Sequence, residues 1–331
     1  MKKFVNDPKK FVPEMLKGIA LANPTTLKYI PEYNLIMRAD IPIADKVSIM
    51  QGSGSGHEPA HVMIVGRGML DAACPGDVFS APAADYVYNT SKLVASPKGV
   101  LHIINNYTGD RMSFEMGREM AEADGVEIRT VFVNDDVAVK DSTWTVGRRG
   151  VAGNFFVIKA VGAAAERGAS LDELVSLGEH VVSVARTMGM ALTGCTPPAK
   201  GEPIFTLADD EMEMGIGIHG EPGRRREKMA PANAIVDELL EATYSDLPYK
   251  AGDEVALMIN GMGGTPISEL YLLYGYAHEQ LEKRGAKVWR SYVGEYCTSL
   301  EMAGFSLTLV KVDDNLKSLF MAPAEIAARV F

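Results

Sequence analysis

Val100-Leu101-His102-Ile103-Ile104 runs directly into Asn105-Asn106-Tyr107-Thr108-Gly109-Asp110. A short apolar run closing on a polar, glycine-bearing turn reads as a buried strand delivered into a loop. Downstream, residues 112–123 have helical spacing and 126–133 form a second apolar strand. The polar loop Asn134-Asp135-Asp136 then leads to helices over about 152–167 and 171–188. Upstream, a helix over Phe11–Ala22 stops before Asn23-Pro24, and a strand over 46–50 enters the loop Gly52-Ser53-Gly54-Ser55-Gly56-His57. Pro59, tolerated in a first turn, suggests a helix over 59–65. Strand, polar loop, helix and strand at this spacing mark an α/β domain with a largely parallel sheet.

Past about residue 187 the texture changes. Residues 191–195, 204–207 and 212–218 read as strands interrupted by Thr196-Pro197-Pro198. A helix over 231–243, a strand over 254–259, a helix ending near 283, and strands over 288–293 and 305–312 complete the chain. The expectation is two α/β domains, 1–187 and 188–331, the second smaller and built on a mixed sheet.

With 331 residues, the chain exceeds what one typical core organises, which agrees with two domains. A hydrophobic share of 47%, a charged share of 23% and a net charge of −10 describe a globular protein without the basic surface nucleic acid requires. Three scattered cysteines, Cys74, Cys195 and Cys297, do not form a disulfide framework. The start MKKFVNDPKK has no apolar signal core, and no run approaches the ~20 apolar residues of a membrane span. A cytoplasmic protein without nucleic-acid or membrane partners is expected.

Chemistry concentrates in two glycine-flanked histidines, His57 in GSGSGHEP and His219 in GIGIHGEP. Glycine lets backbone approach a ligand closely, and an imidazole beside it can act as nucleophile, base or donor near neutral pH. Both loops are expected to face one small-molecule pocket. His57-Glu58-Pro59-Ala60-His61 matches the zinc pattern H-E-x-x-H, but His57 ends a loop and no third ligand follows at a recognisable spacing, so no metal is expected. Asp110 has two readings, a helix N-cap or a carboxylate facing a ligand where α/β sheets bind them. Asn260 to Gly264 could cradle phosphate, although it lacks the P-loop and dinucleotide signatures and a tight turn or subunit contact fits it better. Arg148-Arg149 and Arg224-Arg225-Arg226 read as solvated loop unless an anion is shown there.

Taken in order, GSGSGHEPAH, GMLDAACPGDVF, NYTGD, DDVAVKDS, GRRGVAG, FTLADDEMEMGIGIHGEPG and EYCTSLEMAGFSLTLVKVDD resemble the substrate-binding K subunits of dihydroxyacetone kinases, from residue 52 to 314. The resemblance implies that His219 holds the ketone covalently as a hemiaminal and that Asp110 takes the proton from the attacking hydroxyl. It implies that His57 hydrogen-bonds the bound oxygen as acid/base and that the loop at Gly54 lines the pocket. Because the chain stops at Phe331, the resemblance further implies a stand-alone subunit binding no nucleotide. Mg-ADP is then expected on a separate L-type partner recharged by a phosphotransferase-system component, and a homodimer is the expected assembly. One position departs: where the family commonly has lysine before NYTGD, this chain has Asn105, taken here as substrate-binding. The departure leaves open a kinase for another short ketose, or a non-catalytic ketose-binding co-activator of a transcription factor.

Overall fold

The computed structural model describes residues 2–140 and 147–328, so the last two residues of DDVAVKDS lie outside the described residues. After α1 (Phe11–Ala22), strands β1 (Leu27–Ile30), β2 (Leu35–Arg38), β3 (Ser48–Gln51), β4 (Gly66–Arg67) and β5 (Ala72–Ala73) precede α2 (Ala84–Val94). Then come β6 (Val100–Asn105), α3 (Thr108–Ala123) and β7 (Ile128–Val133). The first sheet has the order β1-β2-β5-β3-β6-β7, antiparallel at the β1-β2-β5 edge and parallel from β5 to β7. Strand β6 is buried along its whole length, as a strand covered on both faces must be. Val100 and Ile104 face a core with Val87 of α2 and Phe114 of α3, whereas Leu101 and Ile103 face the opposite core. The two-residue side-chain period thus feeds two cores from one strand.

That opposite core is organised by α4 (Asn154–Glu166), with α5 (Leu171–Val184) beside it. Every residue of α4 up to Ala165 is buried, the pattern of a helix enclosed on all sides. The second sheet contains β8 (Ala185–Ala191), β9 (Glu211–Met214) and β10 (Arg225–Lys228). After α6 (Ala232–Asp246) come β11 (Glu254–Gly261), α7 (Ile267–Lys283), β12 (Lys287–Gly294) and β13 (Gly304–Lys311). Its order is β10-β9-β8-β13-β11-β12, with only β11 and β12 parallel. Phe155 and Phe156 of α4 meet Tyr292 of β12 edge-on, and the core around α4 includes Ala256, Met258 and Val310 of this sheet. Finally α8 (Asp314–Phe320) packs on α4, and β14 (Glu325–Ile326) pairs with β4, returning the chain to the first half.

The architecture is α/β with one largely parallel and one mixed sheet, as expected, but the sheets have equal strand number. The helix expected over 171–188 stops at Val184, and its last residues belong to β8, which pairs with β13 along its length. Pairing with a neighbouring strand outweighs the mild helical preference of Ala and Met there. The expected division at 187/188 therefore falls inside a strand. The strand expected over 191–195 ends at Ala191, the last residue of β8, no strand forms over 204–207, and 212–218 is strand only to Met214. The helix expected over 59–65 is a turn followed by a 3-10 turn at Val62–Ile64. Its upstream carbonyls are occupied: Thr298 N donates to His57 O, Leu300 N to Gly56 O and Thr298 Oγ1 to Glu58 O. Arg225 and Arg226 lie in β10 rather than in loop, paired with Glu238 and Glu213. Among the described residues, no helix is long and apolar enough to cross a membrane.

Candidate active site

Asp110 comes from the first turn of α3, just beyond the carboxyl end of β6. Helix α3 begins at Thr108, earlier than its apolar periodicity indicates, so Asp110 is not the cap. Tyr107 occupies that position without a side-chain bond, while Asp110 Oδ2 accepts from Ser53 Oγ at 2.8 Å. Burial pushes the Asp110 carboxyl up to about 7 against the lowering influence of Ser53 and His219.

His219 lies in the loop between β9 and β10 of the other sheet. Its Nδ1 is 2.8 Å from Glu221 Oε1, and its backbone N–H donates to Glu221 Oε2 at 2.9 Å. Burial pushes the Glu221 carboxyl up, but His219 and Arg149 outweigh it and bring the group down to about 2. A carboxylate accepts only, so Nδ1 carries the proton and Nε2 of a neutral ring keeps its lone pair. Gly217 makes this fold-back possible: a Cβ there would stand 2.0 Å from Glu221 Oε2.

The His57 ring stands 4.8 Å from that of His219 at 72°, and Phe79 stacks on it at 5.2 Å while also meeting His219 edge-on. His57 is fully buried, and its Nδ1 contacts the carbonyl of Thr298 at 2.7 Å, leaving Nε2 without a hydrogen-bond partner among the described residues. A carbonyl accepts only, so here too Nδ1 carries the proton. Burial, then the proximity of His219, hold the ring's pKa well below the ordinary histidine value and keep it neutral. Asn260 supports this arrangement from afar, its Oδ1 accepting from the backbone of Tyr296 and Cys297 in the loop that presents Thr298. The amide of Asn260 is therefore structural, and the turn after it packs against that same loop, where a Cβ on Gly263 would meet Leu300 O at 1.7 Å. The phosphate-cradle reading loses its loop.

A cavity of about 270 Å³ opens between these loops, lined by residues that include Ser53, Gly54, Phe79, Tyr107, Asp110 and His219. It is small, below the usual range for drug-sized ligands of roughly 300–1,000 Å³. Gly54 is in the wall because a Cβ would lie 2.7 Å from Phe79 Cα and Ser80 N. Thus Gly54, Asp110 and His219 meet at one cavity, and His57 lies directly behind His219. Asn105 stands apart: it is fully buried, its Oδ1 3.4 Å from Asn154 Nδ2, and it is not among the lining residues. Glu221, Ser53 and Tyr107 were not singled out from the sequence. The pair His219-Gly220-Glu221 was on view, but its carboxylate–imidazole contact depends on Gly217 being side-chain free. His61 points elsewhere, its Nδ1 on Gln51 Oε1, and the His57 and His61 rings are 6.4 Å apart. They share no helical face, as the zinc pattern requires. Arg148 pairs with Asp246 and Arg224 donates to the carbonyls of Val137 and Ala138, so neither is a solvated loop cation.

Comparison with known proteins places the chain in a family. The Dak1 domain model matches residues 17–328. The chain is 48% identical over 315 residues to the PTS-dependent dihydroxyacetone kinase 1, dihydroxyacetone-binding subunit DhaK, of Listeria innocua, covering 95% of each chain. Among solved structures it resembles the dihydroxyacetone kinase operon co-activator DhaQ, with a TM-score of 0.90, 36% identity, and coverage of 96% of this chain and 98% of that one. It also resembles the dihydroxyacetone kinase of C. freundii in complex with AMP-PNP and Mg2+, with a TM-score of 0.90, 30% identity, and coverage of 99% of this chain but 60% of that one. With nearly its whole length matched, the chain belongs to the Dak1 domain family.

Proposed function

We propose that the chain is the dihydroxyacetone-binding subunit of a multi-subunit, phosphotransferase-system-dependent kinase. It holds the ketone on His219 while Asp110 activates the hydroxyl that receives a phosphoryl group. The observation that carries this reading is His219 with Nδ1 engaged by Glu221, beside Asp110 in one small cavity. In the capture step, the Nε2 lone pair of His219 bonds to the carbonyl carbon and the C=O π pair moves to oxygen. That oxygen takes up a proton from water and the imidazolium passes its Nδ1 proton by way of Glu221 back to water, so protons balance and a neutral hemiaminal results. The bare Nε2 of His57 accepts a hydrogen bond from the new hydroxyl. Covalent capture selects ketones and aldehydes over polyols and fixes the reacting hydroxyl in place. Asp110, raised to about 7, suits a general base at neutral pH.

The phosphoryl donor, with its Mg-ADP, belongs on a separate L-type subunit in the cytoplasm. The match over 95% of a PTS-dependent dihydroxyacetone-binding subunit supports that division. We assign domains along the two sheets, with the division at the start of β8, and expect a homodimer.

Likeness to the co-activator supports a second reading, a ketose-binding regulator without turnover. Such a protein needs His219 but no base, and the poised Asp110 favours the kinase. The test is direct. A crystal soaked in dihydroxyacetone is expected to show a bond from His219 Nε2 to the ketone carbon, absent in His219→Ala. Asp110→Asn should still capture the ketone but lose about 10²–10⁴-fold in phosphoryl transfer with an L-type partner. Capture on another residue removes the His219 assignment; wild-type turnover in Asp110→Asn removes the base.

A further inference from the structure

Arg149 is among the largest side chains with no exposure to solvent. It lies just before α4, and its guanidinium joins the segment after β7 to the His219 loop. Nε donates to Asp136 Oδ2 at 2.7 Å, in the segment that bridges to Thr187 of β8, and Nη2 donates to the carbonyl of Gly215 at 2.7 Å, at the root of the His219 loop. The third nitrogen, Nη1, is buried and has no hydrogen-bond partner among the described residues. It is directed at the gap beside Gly217, where a Cβ would stand 2.8 Å from Nη1 and 2.0 Å from Glu221 Oε2. Arginine and carboxylate therefore converge on one glycine. Tyr107, whose ring stands 4.7 Å from His219, feels both of their charges.

We propose that Arg149 is a positioning residue for His219, tying its loop to the Asp136 segment and holding the Glu221 carboxylate in the charged state that orients the imidazole. This inference rests on the reading of His219 as the ketone-capturing nucleophile. A buried carboxylate without a nearby cation protonates readily. A protonated Glu221 would donate rather than accept, and the imidazole would then carry its proton on Nε2, where no lone pair remains for the ketone. The inward-pointing Nη1 supplies the cation, while Asp136 balances the remainder of its charge. Lysine could supply charge but not both bridging bonds.

The experiment compares wild type, Arg149→Lys, and the double variant Arg149→Gln/Asp136→Asn, which avoids stranding a buried aspartate. Folding is checked by circular dichroism, the His219 tautomer is read by ¹⁵N NMR, and the rate of dihydroxyacetone capture is measured on the same samples. Wild type is expected to carry the Nδ1–H tautomer. The double variant should shift toward Nε2–H and capture at least about tenfold more slowly, the scale of effects from partners that orient a reacting ligand. Arg149→Lys should keep the Nδ1–H tautomer despite a lower Tm. A folded double variant with wild-type tautomer and capture rate overturns the proposal, as does a lysine variant that loses the tautomer as fully as glutamine. Failure of wild type itself to capture ketone, with the tautomers behaving as stated, would instead overturn the reading of His219.

Discussion

At Asp110, one side chain is subject to two opposed influences. Burial raises its pKa, whereas the hydroxyl of Ser53 and the proximity of His219 lower it, and the balance stands at about 7. The basic form does the proposed chemistry, so phosphoryl transfer should fall as pH drops through that value. Ser53→Ala removes a hydrogen bond to the charged form, of a kind that contributes about 1.5–3 kcal/mol. The acid limb of kcat should therefore move toward alkaline pH by about 1–2 units. An unmoved limb would mean that another group titrates. Stability has the opposite dependence. Because the folded-state pKa lies above the unfolded one, stability linked to Asp110 is fully present at acid pH and is lost as pH rises through about 7. Asp110→Asn should accordingly raise Tm at pH 8 and change it little at pH 4, as differential scanning calorimetry can show.

At the level of elements, the site depends on loops that touch at backbone distance. The 52–56 loop is stitched to the 74–80 loop by Gly76 N to Ser53 O, Ser55 N to Asp77 O and Phe79 N to Ser55 O. Gly54→Ala would push a methyl group into Phe79 and Ser80 backbone, which cannot rotate aside. Overpacking of this type costs about 1–3 kcal/mol, so Tm should fall and ketone capture slow together; an unchanged protein would show that the loops part freely. Glycine spacing made both loops readable from sequence, because close approach demands that residue. Periodicity likewise identified β6, β7, α1 and α7 within a few residues. It failed where distant partners decide the outcome. Residues 185–188 continue a helical pattern, yet β13 claims them as strand. Arg225 and Arg226 resemble a solvated run until Glu238 and Glu213 are placed opposite. Arg149 likewise read as solvated loop, and Glu221 escaped notice, since their roles arise from partners distant in sequence. Asn105 shows the converse: its position in the motif suggested a substrate contact, while its side chain meets Asn154.

Across the whole molecule, neither sheet carries the site alone. His57 and Asp110 follow strands of the first sheet and His219 follows one of the second, while the Thr298 carbonyl reaches back from beyond β12 to fix His57. The core around α4 takes residues from both sheets, and β14 closes onto β4. Such a shared core couples the two halves, so unfolding should be one cooperative transition, with calorimetric and van't Hoff enthalpies equal. Ligand captured at the junction should stabilise the whole chain. Dihydroxyacetone at a hundred times its Kd is expected to add about 2.7 kcal/mol and raise Tm by a few degrees, without splitting the transition. His219→Ala should lose that increment, since what remains is a shallow cavity offering only hydrogen bonds to a small polar molecule. Two resolved transitions, with only one responding to the ketone, would show that the halves fold independently and that the cavity belongs to one of them. An undiminished rise in His219→Ala would show that binding does not require the covalent bond.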